Sequence, residues 1–433
     1  MKSRKSWCCG WLAAAVWAAA FPLLSTLGPH RVWGTSACAG YLCAAVAVVS
    51  WRSRGRAASV WIAGSGAVLV PLAVLVLTGG AQSEVGVVER AGLLTVSRGT
   101  PYLADPQAVG EVTPYLPGMA LFGLPKALLV HGWEPLRFLG DARLWCAAAF
   151  FGCLWAAGRV LGGGGVGQLV GAALIASPVV ALPLAVSGID LPLTGLLCLT
   201  LALAVRHRPV AAGLALASAC SLKWTAWPAL AVVAALLAHR TGLCAAVRAT
   251  GVAVAGTVLA VLPSALLSPG PLIEQVFAFP TGRAEWKTPA ASPLPGRLLA
   301  DLGPLGWYAA ATLLVAGGVV VAVSLWVRPP HGLVPAAHRL AVGLCTAFLL
   351  APAGRFGYLA LPVFLSVWAR LADPARRSAP ARSLVVAGGP AARWDSGPGG
   401  AAAGLRPQGP RDGDGRARRG LGGCPRPGRG PAS

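Results

Sequence analysis

The sequence predicts an all-α polytopic membrane protein with about twelve transmembrane helices and two long extracytoplasmic loops. Hydrophobic residues make up 56% of the 433-residue chain and charged residues only 12%, roughly half the charge of a soluble domain. Apolar runs near the ~20 residues that span a bilayer as a helix recur along it. Arginines collect in the short connections between those runs, which is where the positive-inside rule puts them.

The net charge of +22 is therefore no sign of nucleic-acid binding. The tail from Asp373 carries eleven arginines against four aspartates, and much of the remaining charge sits in short connections. Of eleven cysteines, nine fall in hydrophobic segments, with Cys244 in an inner loop and Cys424 in the tail. No paired CxxC or other metal spacing occurs. The cysteines read as small apolar packing residues, and no metal site or cofactor is expected. Thirty-one arginines against five lysines suggest a GC-rich bacterial genome, and hence a bacterial plasma membrane.

The first span has a basic head, with Lys2, Arg4 and Lys5 before an apolar run of about one full span. No clear small-x-small cleavage site follows it, so it reads as a retained helix rather than a signal peptide. The second span, roughly 35–51, returns to Arg52, Arg54 and Arg56 at the inner face. The third, roughly 57–78, delivers a long polar stretch to the outside. Residues 82–118 hold Glu84, Glu89, Asp105 and Glu111. Polar backbone of this kind cannot lie in hydrocarbon, and a loop so long is usually functional.

Residues 114–129, PYLPGMALFGLPKALL, are broken by Pro114, Pro117 and Pro125 and interrupted by Lys126. They read as a re-entrant or interfacial segment, because a crossing here would reverse the basic bias downstream. Nine further spans follow at about 142–161, 166–187, 190–205, 209–222, 224–238, 249–266, 306–327, 336–352 and 356–371. Both termini then lie in the cytoplasm. The transmembrane domain covers 1–372, with outer loops at 80–141 and 268–304. The tail, 373–433, is rich in Gly, Pro, Ala and Arg without period or apolar face, and is expected to be disordered and cytoplasmic.

On this topology all ten carboxylates outside the tail fall on the outer face or at outer helix ends. They are Glu84, Glu89, Asp105, Glu111, Glu134, Asp141, Asp190, Glu274, Glu285 and Asp301. Part of that is trivial, since long loops hold most polar residues. An ATP-driven or cytosolic-nucleotide enzyme, however, would need inner acids or a phosphate loop. The GGGG at 162–165 lacks the Lys-Ser/Thr of a phosphate cradle and reads as a tight turn. His207, His239, His331 and His338 lie near the inner face, away from this chemistry.

Chemistry on the outer face has no nucleotide sugars, but it can draw on lipid-linked donors. An inverting sugar transfer needs one carboxylate as general base and cations or amides for the departing phosphate. Glu84 and Glu89 are the candidate bases. Lys223, Arg283, Lys287, Arg297 and Arg355 are candidate phosphate partners. The bland readings stand beside these. Glu84 sits just past a helix end and could anchor it, and Glu89-Arg90 could be a solvated pair. Lys223 could snorkel to the interface between Trp224 and Trp227, although a lysine there is expensive near hydrocarbon. Asp190 opens a helix, where an acid favours the dipole; it could also be a second active-site acid or a metal ligand.

The segment from Glu84 resembles the first outer loop of glycosyltransferase family 87, in the C-type superfamily of polytopic enzymes. The resemblance rests on an acid after a span, then GTPY at 99–102 with Tyr102, then PYLP at 114–117 with Tyr115. Residues 209–237 look like the family's later helix pair, with Lys223 at its lysine. The ASPLPG at 291–296 and APAGRFGYLALP at 351–362 are similar to its later motifs. Together these cover most of residues 80–370. Each motif is loose, and their order and spacing carry the weight.

The resemblance implies a C-type glycosyltransferase-like fold. It also implies transfer of mannose or a related hexose from a polyprenyl-phosphate sugar to a glycolipid or cell-envelope glycan acceptor. Two departures stand out: Glu84 where the family usually has Asp, and Val88 where it has Tyr. Two additional hydrophobic segments also precede the loop. Two other functions stay open, a transporter or flippase of lipid-linked sugars and an inactive family member acting as a membrane partner.

Overall fold

The regular structure of the described part is helical, and most of the long helices begin and end close to where the apolar runs do. Residues 2–51, 53–129, 138–162 and 166–373 are described by a computed structural model, in which they belong to one unit, Met1–Ala379. The expectations for Glu134, for the three last glycines of the GGGG turn and for the tail beyond Asp373 lie outside the described residues.

Helices α1 (Lys2–Leu24) and α2 (Gly28–Ser50) pack along their length. Trp11 stacks on Tyr41 at 5.7 Å between ring centres, and Trp17 and Phe21 meet Trp33 edge-on. A third helical span, Gly55–Leu77, comprises α3 (Gly55–Gly64), a π turn at Ser65–Leu69 and α4 (Val70–Leu77). The π turn sits where Gly66 touches Gly40: a Cβ on Gly40 would lie 2.7 Å from the Gly66 Cα. A π turn disturbs the regular ladder of carbonyls. Here Ser36 Oγ donates to Gly66 O at 2.7 Å and Trp33 Nε1 to Ala67 O at 2.9 Å.

Residues 82–118, expected as a loop, contain a helix, α5 (Ser83–Arg98). Val85, Val88, Ala91 and Gly92 fall at helical spacing and are buried, while Gly99 ends the helix in the left-handed conformation. The polar residues lie on its other faces, which is why the stretch looked loop-like by composition. The proline-rich segment after it forms a 3₁₀ turn, Pro117–Gly123, and a short helix, α6 (Leu124–Leu129). The pair is shorter than a span and rests on α5, where a Cβ on Gly92 would lie 2.2 Å from the Gly123 carbonyl carbon.

Helix α7 (Ala142–Val160) is followed by α8 (Val166–Ala176) and α9 (Pro178–Val186), which bend by 57° at Ser177. Pro178 interrupts the ladder there, and Tyr41 donates its hydroxyl to the freed Ala176 carbonyl at 2.8 Å. Helices α10 (Leu191–Val205) and α11 (Pro209–Leu222) are mostly buried, and α12 (Pro228–Thr241) buries one face. They are followed by α13 (Leu243–Leu267), the short α14 (Pro269–Ile273) and α15 (Pro295–Ala300), α16 (Pro304–Val327), α17 (Leu333–Leu350) and α18 (Ala360–Ala372).

Six of the described helices are long and apolar enough to cross a membrane, or seven if the bent α8–α9 pair counts as one span. Helices α10, α11 and α18 are apolar but shorter. Twelve of the fifteen residues of α10 are buried by neighbouring helices, so its length is not set by contact with lipid. No strand forms among the described residues; a single parallel bridge joins Ala291 to Gly354.

Candidate active site

The helix order sorts charge between the two ends of the bundle. The connections α2–α3, α10–α11 and α16–α17 and the last turn of α12 carry arginines and histidines without a carboxylate among the described residues. There Arg240 donates to His331 O at 3.0 Å and meets His207 Nε2 at 3.3 Å. At the other end lie the start of α5, the α9–α10 turn, the end of α11 and the segment after α17. These four bring together residues far apart in sequence.

Glu84 lies in the first turn of α5. Its Oε2 accepts from Ser187 Oγ at 2.9 Å, and its Oε1 accepts from Arg355 Nη1. Asp190, at the start of α10, accepts from Lys223 Nζ through Oδ1. Lys223 stands in extended backbone between α11 and a 3₁₀ turn, so the break at SLKW turns its side chain out of a helical register. Its ammonium also lies 4.5 Å from the centre of the Tyr115 ring.

Tyr115 is the residue that both ion pairs have in common as a neighbour. Burial pushes its hydroxyl well above the usual tyrosine range, and the negative charges of Glu84 and Asp190 push it in the same direction. Both carboxylates are thus electrostatic neighbours of one ring. The Tyr115 backbone is fixed from both sides: Tyr102 donates its hydroxyl to Tyr115 O at 2.9 Å, and Leu116 N–H donates to Leu222 O at 3.0 Å. Gly118 lies against α11, where a Cβ would come within 2.4 Å of Ser221 Oγ.

Two framework contacts hold the carboxylates in place. Arg143, with no exposed side-chain surface, grips Asp141 through Nε at 2.9 Å and Nη2 at 2.6 Å. Its Nη1 donates to Gly80 O at 2.9 Å and Ala185 O at 3.1 Å, tying the approach to Glu84 to the end of α9. Gln82 N–H adds a bond to Val186 O at 3.1 Å. Arg355 is held differently. Gly354 N–H donates to Ala290 O and Ser292 N–H to Gly354 O, both at 3.0 Å, so the motifs at 291–296 and 351–362 meet directly.

Of the residues singled out from sequence, Glu84, Asp190, Tyr115, Lys223 and Arg355 converge, and Tyr102 supports them. Glu89 sits on another side of α5, 3.5 Å from Lys126 and accepting from Ala142 N–H at 3.3 Å. Arg283 stacks on Trp307 at 4.2 Å, Arg297 pairs with Asp301 one turn on, and Lys287 is exposed. Sequence reasoning missed Ser187 and Arg143. The SGID break at 187–190 between two apolar helices, and an arginine directly behind the helix-capping Asp141, were the available signals.

No group of three or more His, Cys, Asp or Glu among the described residues could hold a metal ion. The arrangement can accept a proton at a carboxylate and hold an anion at Arg355 and Lys223. No family model, curated protein or solved structure matches the chain.

Proposed function

We propose that the protein is a membrane glycosyltransferase that moves a hexose, most simply mannose, from a polyprenyl-phosphate sugar to a glycolipid or cell-envelope glycan on the outer face. The observation that carries this reading is the convergence of Glu84, Asp190, Lys223 and Arg355 around Tyr115 at one end of an apolar helical bundle. Glu84 is the general base, and Lys223 and Arg355 bind the departing phosphate as charge-assisted partners. A lipid-linked donor suits a site at the rim of membrane-spanning helices, because its chain can stay in the bilayer while its phosphate reaches the charged end.

The twelve-span topology, the likeness to glycosyltransferase family 87, the bacterial plasma membrane and cytoplasmic termini belong to the same proposal. Ordering of the GTPY, PYLP, lysine, ASPLPG and APAGRF motifs along the chain supports it, since all five contribute directly to the site or to its support. A flippase would need charge along its path; the charged side chains described here cluster toward helix ends.

The test is product formation from a polyprenyl-phosphate sugar by the purified protein. General-base contributions are typically ~10²–10⁴-fold, so Glu84→Gln should lower turnover by about that factor. Wild-type turnover by Glu84→Gln would remove Glu84 from the mechanism.

A further inference from the structure

Both cations of the site are already engaged by carboxylates, so an anionic ligand must compete for them. The Glu84 pair is the more consequential because its two oxygens are held by different partners. Oε2 accepts from Ser187 Oγ at 2.9 Å, whereas Oε1 faces the Arg355 guanidinium. While that contact stands, the guanidinium occupies the oxygen, so an acceptor hydroxyl cannot donate to it.

We propose that Glu84 is a base released by its own donor: the phosphate of the lipid-linked sugar takes Arg355 from Glu84 and leaves Oε1 free. Ser187 keeps Oε2 in place, so the carboxylate stays positioned while one oxygen is vacated. This rests on the transferase reading of the site. In the step that follows, the acceptor hydroxyl oxygen bonds to the anomeric carbon of the sugar, and its proton passes to Glu84 Oε1. The bond from that carbon to the phosphate oxygen breaks, and its electron pair leaves with the polyprenyl phosphate, held by Arg355 and Lys223.

Arg355 and Glu84 are each only about one-fifth exposed, with side-chain values of 21% and 20%. The pair is therefore mostly shielded from solvent while both side chains still reach the surface.

The experiment measures binding of undecaprenyl phosphate to the purified full-length protein in detergent, with inorganic phosphate and phosphatidylglycerol as separate arms. If the pair withholds Arg355 about nine-tenths of the time, Glu84→Gln should bind undecaprenyl phosphate about tenfold more tightly than wild type. Glu84→Asp, whose shorter arm weakens the pair, should fall between the two. Arg355→Ala should weaken binding and abolish the gain in the Glu84→Gln background.

Unchanged or weaker binding by a folded Glu84→Gln protein would overturn the proposal. So would an equal gain toward inorganic phosphate or phosphatidylglycerol, because release would then not be the donor's own. Binding needs no turnover. A protein with this binding pattern that transfers no sugar would remove the transferase reading and with it the base role, leaving only the exchange of Arg355 between Glu84 and phosphate; turnover with unchanged Glu84→Gln binding would remove the release step alone.

Discussion

The Lys223 ammonium lies 4.5 Å from the centre of the Tyr115 ring while it is paired with Asp190, so one cation is shared between a carboxylate and an aromatic face. The cation and its aromatic partner can be removed separately. Lys223→Ala removes a charge-assisted partner of the donor phosphate and should weaken donor binding more than tenfold. Tyr115→Leu removes a cation–π contact at a buried ring, worth about 2 kcal/mol when desolvated, so a loss of up to roughly thirtyfold in donor affinity is expected. Tyr115→Phe keeps the ring and should bind as wild type does. Equal affinity for Tyr115→Leu and wild type would remove the ring from donor recognition.

Arg143 predicts a stability effect rather than a chemical one. Breaking a buried ion pair by removing one partner typically costs ~3–5 kcal/mol, because the other charge is left uncompensated. Arg143→Ala should approach that range, since the carbonyls of Gly80 and Ala185 lose a donor as well. Arg143→Lys restores the charge but not the planar fork, and should recover only part of the loss. Thermal unfolding in detergent reads both; wild-type stability of Arg143→Ala would show that the framework is held elsewhere.

Glu89 gives a pH dependence with a definite sign. Burial raises its carboxyl above the ordinary value, and the positive charge of Lys126 and the Ala142 N–H offset this only in part. The folded state therefore holds the proton more tightly than the unfolded chain does. The contribution to stability is full below the unfolded carboxylate range and is lost as pH rises through the folded-state value. Glu89→Gln should flatten this decline, narrowing any stability deficit of the wild type at neutral pH relative to acid. A variant whose stability relative to wild type is lower at pH 7 than at pH 4 would reverse the sign and sink the assignment.

Much of the helix pattern was legible because apolar length and proline punctuation are local properties. The Pro209, Pro228 and Pro304 helix starts fall at or within four residues of the expected span edges. Helix α5 was not legible as a helix, because its carboxylates, arginines and hydroxyls dominate its composition although Val85, Val87, Val88, Ala91, Gly92 and Leu94 are buried. At the site, charged residues near apolar helix ends were individually visible as costly. Their pairing was not, since Glu84 meets Arg355 across 271 positions and only the packing of helix ends decides such a contact. Glu89 and Glu84 look equivalent in sequence. They diverge because five residues along a helix turn them to different faces.

The two charged ends also predict an orientation. If arginine bias sets the topology, the end carrying Arg54, Arg56, Arg208 and Arg240 faces the cytoplasm and the Glu84 end faces outward. Single cysteines introduced beside Arg56, Tyr102, Arg240 and Lys287 should then label from inside, outside, inside and outside, in that order. Each site replaces a native background in which the described cysteines are all free thiols, so the native cysteines must be removed first. Tyr102 is the decisive position, because its hydroxyl is bonded to the Tyr115 backbone and its side therefore reports the side of the whole site. Labelling beside Tyr102 only from the cytoplasm would place Glu84, Asp190, Lys223 and Arg355 where nucleotide sugars are available. It would withdraw the argument for a lipid-linked donor even if sugar transfer were observed.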